Sequence, residues 1–291
     1  MNFGGPIVYI SIAGAIFLLA GLSSFVWKPG VRFSSAAKHF AAGMVFAAVG
    51  VDLIPQVEEG APLWAVLVGF AIGAGYMLLI RWWTHKQEQK EAGGSAKERS
   101  GKSSAMKGQK KKQAGEKSQA PSPSEEHKAG SFSLVVTIAQ DIFLDGILLG
   151  VISNLGQRQG LILAVALASE FFSLSISSVA NYSRRIGGTW KRIGLIFGLS
   201  VAPVLGALLG LYLLNGLSEI WLRGIIAFGM AAFIYLVVEE LIAEAHDQAI
   251  TMWNVAMFFV GFIFLIGFEI WQKGSGSGSE GSAFLTELLK F

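Results

Sequence analysis

The sequence contains no cysteine and few charged residues, and both shortages limit what the protein can be. The absence of cysteine from all 291 residues excludes disulfide bonds and thiolate metal sites. Asp, Glu, Lys and Arg make up only 15% of the chain, whereas 53% is hydrophobic and the mean hydropathy is +0.54. A soluble helical protein of this size needs polar faces on its helices, and most of the apolar runs have none. The composition therefore predicts an integral membrane protein.

The sequence also lacks a signal-peptide pattern and a large net charge, and both absences limit the class of protein. The first apolar run has no basic region before it and is long enough to cross a bilayer, so it is typical of a membrane span rather than of a cleavable signal peptide. The net charge is only +3, and the positive charges are confined to loops, so we expect no nucleic-acid partner.

Eight apolar segments run along the chain. An α-helix needs about 20 residues to cross roughly 30 Å of hydrocarbon, and each segment has about that length. We therefore predict an all-α, polytopic membrane protein with about eight transmembrane helices. The predicted spans are 7–27, 36–56, 62–83, 132–153, 159–181, 193–215, 222–242 and 252–272.

The loops between these segments alternate in charge. The first, third and fifth loops are rich in Lys and Arg, whereas the second, fourth and sixth are short and contain fewer. The positive-inside rule places the odd-numbered loops in the cytoplasm. Eight spans then place both termini outside, in a multi-pass protein of the plasma membrane.

Two segments differ in composition from the predicted transmembrane domain, 1–272. Residues 84–131 are rich in Lys, Gln, Ser and Gly and contain few apolar residues, which predicts a disordered basic loop on the cytoplasmic side. A solvated tether attracted to anionic lipid is one role for this loop, and regulation is the other. Residues 273–291 combine a Gly/Ser/Glu stretch with an amphipathic end, and we interpret them as an artificial linker with a fused peptide.

A short similarity suggests an internal repeat. The second span ends in Asp52-Leu-Ile-Pro-Gln56, and the seventh ends in Glu240-Leu-Ile-Ala-Glu244. The predicted topology puts these two runs at opposite faces of the membrane, as an inverted repeat requires. We therefore predict a 3+2+3 arrangement, in which helices 1–3 are related to helices 6–8 around a central pair.

Carboxylates inside the apolar segments are the main functional candidates, because an ionisable group in lipid is costly unless it is paired, hydrated or metal-bound. Asp141 and Asp145 are four residues apart, so they share one face of the fourth helix, where a cation or a shared proton would relieve their repulsion. In the fifth helix, Glu170 and Ser173 also share a face. Gly146 beside Asp145 suggests close helix packing. The alternative is that these groups are interhelical hydrogen-bond partners that hold the bundle together.

Other ionisable residues are predicted to lie at helix ends. For Asp52, Glu239 and Glu240 a position at the solvated rim of the membrane is an alternative to a functional role, and Glu269 is predicted to be a rim residue. The four histidines fall in or beside loops, so none is predicted to be a central ligand: His39, His85, His127 and His246.

The pattern as a whole resembles the ZIP family of divalent-metal transporters, in its bacterial and archaeal branch, over nearly all of residues 1–272. The run Asp52–Gln56 is similar to the Asp-Leu-Leu-Pro-Glu-like end of the family's second helix. Glu239–Glu244 is similar to the Glu-Leu-Leu-Pro-Glu-like end of the seventh, and a long variable loop precedes the fourth helix in both. The resemblance implies a mid-membrane metal site, alternating access, inward transport and a possible homodimer.

The residues at the family's metal-binding positions differ from its usual pattern. Asp141 falls where the fourth helix has histidine, and Asp145 matches the glutamate before glycine. In the fifth helix, Ser169 stands at the His/Gln position, Glu170 at the acidic position, and Ser173 replaces the metal-binding glutamate. Since every imidazole is lost, the site offers oxygen only, which suits Mg²⁺, Mn²⁺ or Ca²⁺ better than Zn²⁺.

We therefore predict transport of a hard divalent cation as substrate, with no enzymatic activity and no resident cofactor. Asp141, Asp145 and Glu170 are the predicted ligands. The expected weaker oxygen ligands are Gln140, Ser169 and Ser173, and the pathway residues are Asp52 on the outer approach and Glu239 and Glu240 on the exit.

Two alternatives remain open. A degenerate member of the family could be a non-transporting scaffold or could carry a different substrate. An intramembrane protease is the other, because Glu239-Glu240 is similar to the Glu-Glu-x-x-x-Arg motif of one such family. No arginine completes that motif here, and none of the four histidines is predicted to be a central ligand that could complete a protease site.

Overall fold

The structure is a computed structural model in which every described regular element is a helix. It describes residues 4–23, 25–27, 29–58, 62–106, 131–176, 189–212, 216–247 and 252–276. Within these ranges, the side chains at 4–6, 85, 87–106, 131–134, 240–247 and 275–276 lie outside the description.

Nine α-helices make up the described chain, and one π-helical turn, Val49–Leu53, joins the second of them to the third. In chain order the helices are α1 (Gly4–Ser23), α2 (Val31–Ala48), α3 (Ile54–Glu58), α4 (Leu63–Met106), α5 (Ser131–Leu155), α6 (Gln157–Leu174), α7 (Thr189–Tyr212), α8 (Glu219–Asp247) and α9 (Met252–Gly276).

Six of the described stretches are long and apolar enough to cross a membrane, which confirms the prediction of an all-α membrane protein. They are Val31–Glu58, Leu63–Thr84, Val135–Leu155, Thr189–Tyr212, Glu219–Glu239 and Met252–Gly274. The apolar part of α1, Ile7–Ser23, is shorter. The described part of the predicted fifth span is α6, which starts with Gln157-Arg158-Gln159 and carries Glu170, so it is less apolar than the others. The count of eight spans stays a prediction.

The tryptophan side chains mark the ends of these stretches. Each of the eight lies within a few residues of a helix end or a span end, and each is at least 44% exposed. Tryptophan is enriched at both membrane–water interfaces, where its amphipathic ring is stable. The set therefore has the distribution of two aromatic belts: Trp27, Trp64, Trp82, Trp83, Trp190, Trp221, Trp253 and Trp271.

The chain divides into two compact units. The larger comprises residues 1–75 and 140–291 and contains every candidate site residue, and the smaller is 76–139. Within the smaller unit, α4 continues to Met106, so 84–106 are helical although we predicted a disordered loop there. Within this stretch, residues 86–92 and 96–99 consist of Lys, Gln, Glu, Ala and Arg, which favour a helix. The rest of the predicted loop, from 107 to 130, lies outside the described residues.

In the larger unit, glycines let α5 and α7 come into backbone contact. A Cβ atom added to Gly146 would collide with the carbonyl oxygen of Pro203, and one added to Gly150 would collide with the next turn of α7. Gly206 and Gly210 on α7 lie equally close to the backbone of α5. Small residues four apart allow this approach in membrane helices. The close packing predicted beside Asp145 is confirmed.

Two further helix pairs pack in the same way. Gly43 on α2 contacts the backbone of α9, and Gly261 on α9 contacts the backbone of α2. Gly69 and Gly73 on α4 contact the backbone of α8, the first of them at Gly224. The partners in each pair run in the same direction along the chain.

Polar contacts join helix termini at both ends of the larger unit. One end of the unit carries the second, fourth and sixth loops, and we call it the even-loop end. There, Arg223 at the start of α8 donates to the carbonyl oxygen of Gln56 in α3. At the same end, Asn154 of α5 donates to the carbonyl of Leu211 in α7 at 3.0 Å. At the opposite, odd-loop end, Asn254 of α9 donates to Ser35 Oγ of α2 at 2.7 Å. Successive spans therefore alternate in direction.

Candidate metal centre

Three carboxyl groups meet between α5 and α6. Asp141 and Asp145 lie one turn apart on α5, and Gly156 alone connects this helix to α6, which carries Glu170 back alongside them. One carboxylate oxygen from each of these residues lies within 4.8 Å of the other two. The distances are short enough for a single cation to contact all three groups.

The cluster lies deep in the helices. At 1.5 Å per residue, Asp145 and Asp141 are about 15 and 21 Å along α5 from its end, and Glu170 is about 20 Å along α6 from its start. A hydrocarbon core is about 30 Å thick, so all three carboxyl groups are near its middle.

Burial raises the free energy of these three carboxylates unless a counter-charge lies beside them. Asp145 and Glu170 are each only 3% exposed, and Asp141 is half-buried. Among the described residues, no side chain or backbone group donates a hydrogen bond to Asp145 Oδ2. A buried carboxylate oxygen without a donor is stabilised by a cation or a proton. For this oxygen, the interhelical hydrogen-bond alternative therefore has no support.

The predicted weaker ligands are close to the cluster residues in the sequence. Ser173 lies one turn beyond Glu170 and is buried, whereas Gln140 and Ser169 are half-buried. The Ser169 hydroxyl donates to the carbonyl of Ala166 at 2.7 Å, which leaves its oxygen lone pairs for a cation. Their participation stays a prediction.

A proline in α7 lies beside the cluster and was not among the predicted site residues. Pro203 packs against Gly146, the residue after Asp145. Because proline has no N–H, the carbonyl of Leu199 receives no hydrogen bond from it. The signal in the sequence was a proline inside an apolar span, but only the close approach of α7 to α5 places it at the site.

A second ionic group lies at the even-loop end and corrects one prediction. Glu269 was predicted to be a solvated rim residue, which is wrong, because its side chain is only 8% exposed and it accepts from two cations. Arg158 Nη2 lies 3.1 Å and Lys273 Nζ 2.7 Å from Glu269 Oε1. These contacts pair the buried carboxylate with two cationic side chains.

The predicted pathway residues have different surroundings. Asp52 is buried in the π-helical turn, close enough to Arg158 and Glu269 to interact with their charges. Among the described residues, no group donates to Asp52 Oδ2. Glu239 is half-buried in α8, and the side chain of Glu240 lies outside the described part of the chain.

Among the described side chains, no histidine belongs to the carboxylate cluster. His39 was predicted to fall in or beside a loop, which is wrong, because it is buried within α2, where its Nδ1 is 3.0 Å from the carbonyl oxygen of Ser35. The side chains of His85, His127 and His246 lie outside the described residues. The grouped ligand atoms are therefore all oxygens.

No protein-family model matches the chain, and no curated protein matches it.

Proposed function

We propose that this protein transports a divalent metal cation across a membrane by alternating access, with Asp141, Asp145 and Glu170 as the cation ligands. The observation that carries this proposal is the meeting of three carboxyl groups near the middle of apolar helices. An intramembrane ionisable cluster that faces other helices is typical of a substrate or ion pathway.

The chemistry of the cluster favours a hard cation. Carboxylate oxygens, supplemented by the hydroxyls of Ser169 and Ser173 and the amide of Gln140, suit Mg²⁺, Mn²⁺ or Ca²⁺. Zinc sites in proteins generally include imidazole or thiolate ligands. We infer that Mn²⁺ or Mg²⁺ is a better substrate than Zn²⁺.

The packing of the larger unit supports movement of two bundles. Backbone contacts through glycine lock α5 to α7, and α1 packs against α6 and α7. A second group has the same kind of contacts: α2 with α9, and residues 63–75 of α4 with α8. Between the groups, α2 packs against α6, and the atoms nearest to a Cβ added at Gly229 of α8 belong to the side chain of Leu148. Two bundles that are each held together by such contacts suit a rocking or elevator motion, in which the contact between α2 and α6 would slide.

The same pairs are those that a 3+2+3 inverted repeat would produce. Such a repeat relates the second and eighth spans to the seventh and third, and α2–α9 and α4–α8 are both locked by glycine. It also relates the fourth and sixth spans to the fifth and first, and α5–α7 and α6–α1 both pack closely. This symmetry supports a ZIP-like fold, and from that resemblance we also propose a plasma-membrane location, external termini and a homodimer.

Uptake into proteoliposomes tests the transport proposal. Purified protein would be reconstituted, and uptake of Mn²⁺, Mg²⁺, Fe²⁺, Co²⁺, Cd²⁺ and Zn²⁺ would be compared among the native protein, Asp141→Asn and Asp145→Asn. Glu58→Gln is the matched control, because Glu58 is an exposed carboxylate outside the cluster.

Three results are possible. Uptake led by Mn²⁺ or Mg²⁺ that is lost in both cluster variants but not in the control would support the proposal. Uptake led by Zn²⁺ or Cd²⁺ would keep metal transport but refute the argument from oxygen ligands. If no metal is taken up, the alternative of a non-transporting scaffold, or of a different substrate, gains support.

A further inference from the structure

The contact between Arg158 and Glu269 joins two helices that belong to different bundles. Arg158 lies in the first turn of α6, the helix that carries Glu170, and Glu269 lies near the end of α9. Their Nη2–Oε1 distance is 3.1 Å, and the two residues are 111 positions apart in the chain. The glutamate side chain is 8% exposed and the arginine side chain 38% exposed, so the pair is partly shielded from water.

Most of the other described contacts between helix ends stay within one bundle. Arg223 with Gln56, Asn254 with Ser35 and Asn154 with Leu211 each join helices of the same group. Such contacts can persist while the bundles move. The Arg158–Glu269 pair cannot keep its geometry if α6 moves along α9 by more than an ångström or two, because charge-assisted hydrogen bonds depend on distance and angle.

We propose that the Arg158–Glu269 pair is a latch that holds the two bundles together at the even-loop end and opens once in each transport cycle. This inference rests on the proposed function, since it gives the moving bundle a contact that stabilises one of its two positions. The latch makes Arg158 and Glu269 positioning residues, because neither belongs to the carboxylate cluster.

The charged groups around the pair lower the free energy that is needed to separate Arg158 from Glu269. When Arg158 leaves, Glu269 keeps Lys273, which lies one turn away on the same helix at 2.7 Å. Arg158 in turn has Asp52 within range of its charge, and Asp52 Oδ2 has no hydrogen-bond donor among the described residues. Neither charge would remain buried without compensation, which is the main energetic obstacle to breaking a buried ion pair.

The chain offers a matched control for this idea. Arg158 and Lys273 both contact the same carboxylate oxygen, but Arg158 crosses between the bundles whereas Lys273 belongs to the helix of Glu269 itself. Arg158→Gln and Glu269→Gln remove the latch, and Lys273→Gln leaves it. Arg158→Lys keeps a positive charge and should keep part of the contact.

Distance measurement between the bundles tests the latch directly. Since the chain has no cysteine, Leu63→Cys on α4 and Leu155→Cys on α5 can carry spin labels without removal of native thiols. Both positions are exposed, and they belong to different bundles at the even-loop end. Double electron–electron resonance in lipid nanodiscs would then give the distribution of distances for each variant.

We expect Arg158→Gln and Glu269→Gln to shift the population between two distances by about two- to fivefold, the size of effect that a partly exposed ion pair has. The double variant should add nothing further, and Lys273→Gln and Arg158→Lys should stay close to the parent. An unchanged distribution in Arg158→Gln, or an equal shift in Lys273→Gln, would overturn the latch.

The same variants separate the latch from the transport proposal. If the distance populations respond as expected but no metal is taken up, the latch stands and the substrate is wrong. If Mn²⁺ uptake is found but the distances do not respond, metal transport stands and the latch is wrong.

Discussion

Replacing Asp145 with asparagine should change the thermal stability of the protein in opposite directions with and without a divalent cation. The side chain is buried at 3% exposure, and its carboxylate faces two others within 4.8 Å. Asparagine has nearly the same shape, so the substitution removes charge without opening a cavity. The expected effect is therefore electrostatic.

The magnitude follows from the distances in the cluster. Two unit charges 4.8 Å apart repel by about 3.5 kcal/mol at an effective dielectric constant of about 20. Asp145→Asn removes two such pairs, and any proton shared among the carboxyl groups reduces the gain. We therefore expect the cation-free variant to be more stable than the native protein by about 1–3 kcal/mol, which for a chain of this size is several degrees in apparent Tm.

The cation should reverse this order. In the native protein, we expect Mn²⁺ to be held by three carboxylates and to raise the apparent Tm through preferential binding to the folded state. The variant has two carboxylates and a neutral amide, so the increase should be largely lost. The assay is tryptophan fluorescence during heating in detergent, with EDTA or with millimolar Mn²⁺, and Glu58→Gln as the exposed control.

The reasoning is refuted if Asp145→Asn lowers the apparent Tm in EDTA and still shows the full increase with Mn²⁺. That combination would mean that Asp145 is a structural hydrogen-bond partner rather than a cation ligand. A variant that is unfolded in both conditions would be replaced by Asp141→Asn, for which the same signs are expected, because Asp141 belongs to the same cluster.

Two further predictions concern packing. Gly206→Val should lower the apparent Tm by several degrees, because the valine side chain would collide with the backbone of α5. Gly198→Val on the same helix should have little effect, because nothing lies near an added Cβ there. Thermal unfolding in detergent compares the two variants, and equal losses would contradict the account of α5–α7 packing. Arg223→Met should destabilise the protein by about 1.5–3 kcal/mol, since it leaves the carbonyl of Gln56 without its charged donor. Glu219→Gln is its control, because the ion pair between Glu219 and Arg223 is long at 4.0 Å and Glu219 is mostly exposed. Similar losses in both variants would show that the contact of Arg223 with the carbonyl contributes little.

Local patterns were sufficient to predict the helices and part of the site. Hydropathy over about 20 residues depends on the chain alone, and the spacing of Asp141 and Asp145 fixes them on one helix face. Glu170 could be grouped with them because the short connection at Gly156 forces α6 back along α5. Each of these inferences needs only neighbouring residues and helix geometry.

Contacts between distant segments could not be predicted in this way. Glu269 was predicted to be a rim residue because it lies near a span end, but its burial depends on Arg158, 111 positions earlier. Pro203 gains its place beside the cluster only from the register of α7 on α5. The helical extension of α4 through 84–106 was also missed, because a lack of apolar residues was interpreted as disorder although 86–92 and 96–99 consist of residues that favour a helix.

Binding of Mn²⁺ to the purified protein, followed by pulsed electron paramagnetic resonance, tests the central claim most directly. One Mn²⁺ per chain, with no modulation from ¹⁴N ligands and with binding lost in Asp145→Asn, is the result that three carboxylates and neighbouring oxygens predict. Binding that persists in Asp145→Asn, or a spectrum that shows directly coordinated nitrogen, would contradict an all-oxygen cation site at Asp141, Asp145 and Glu170.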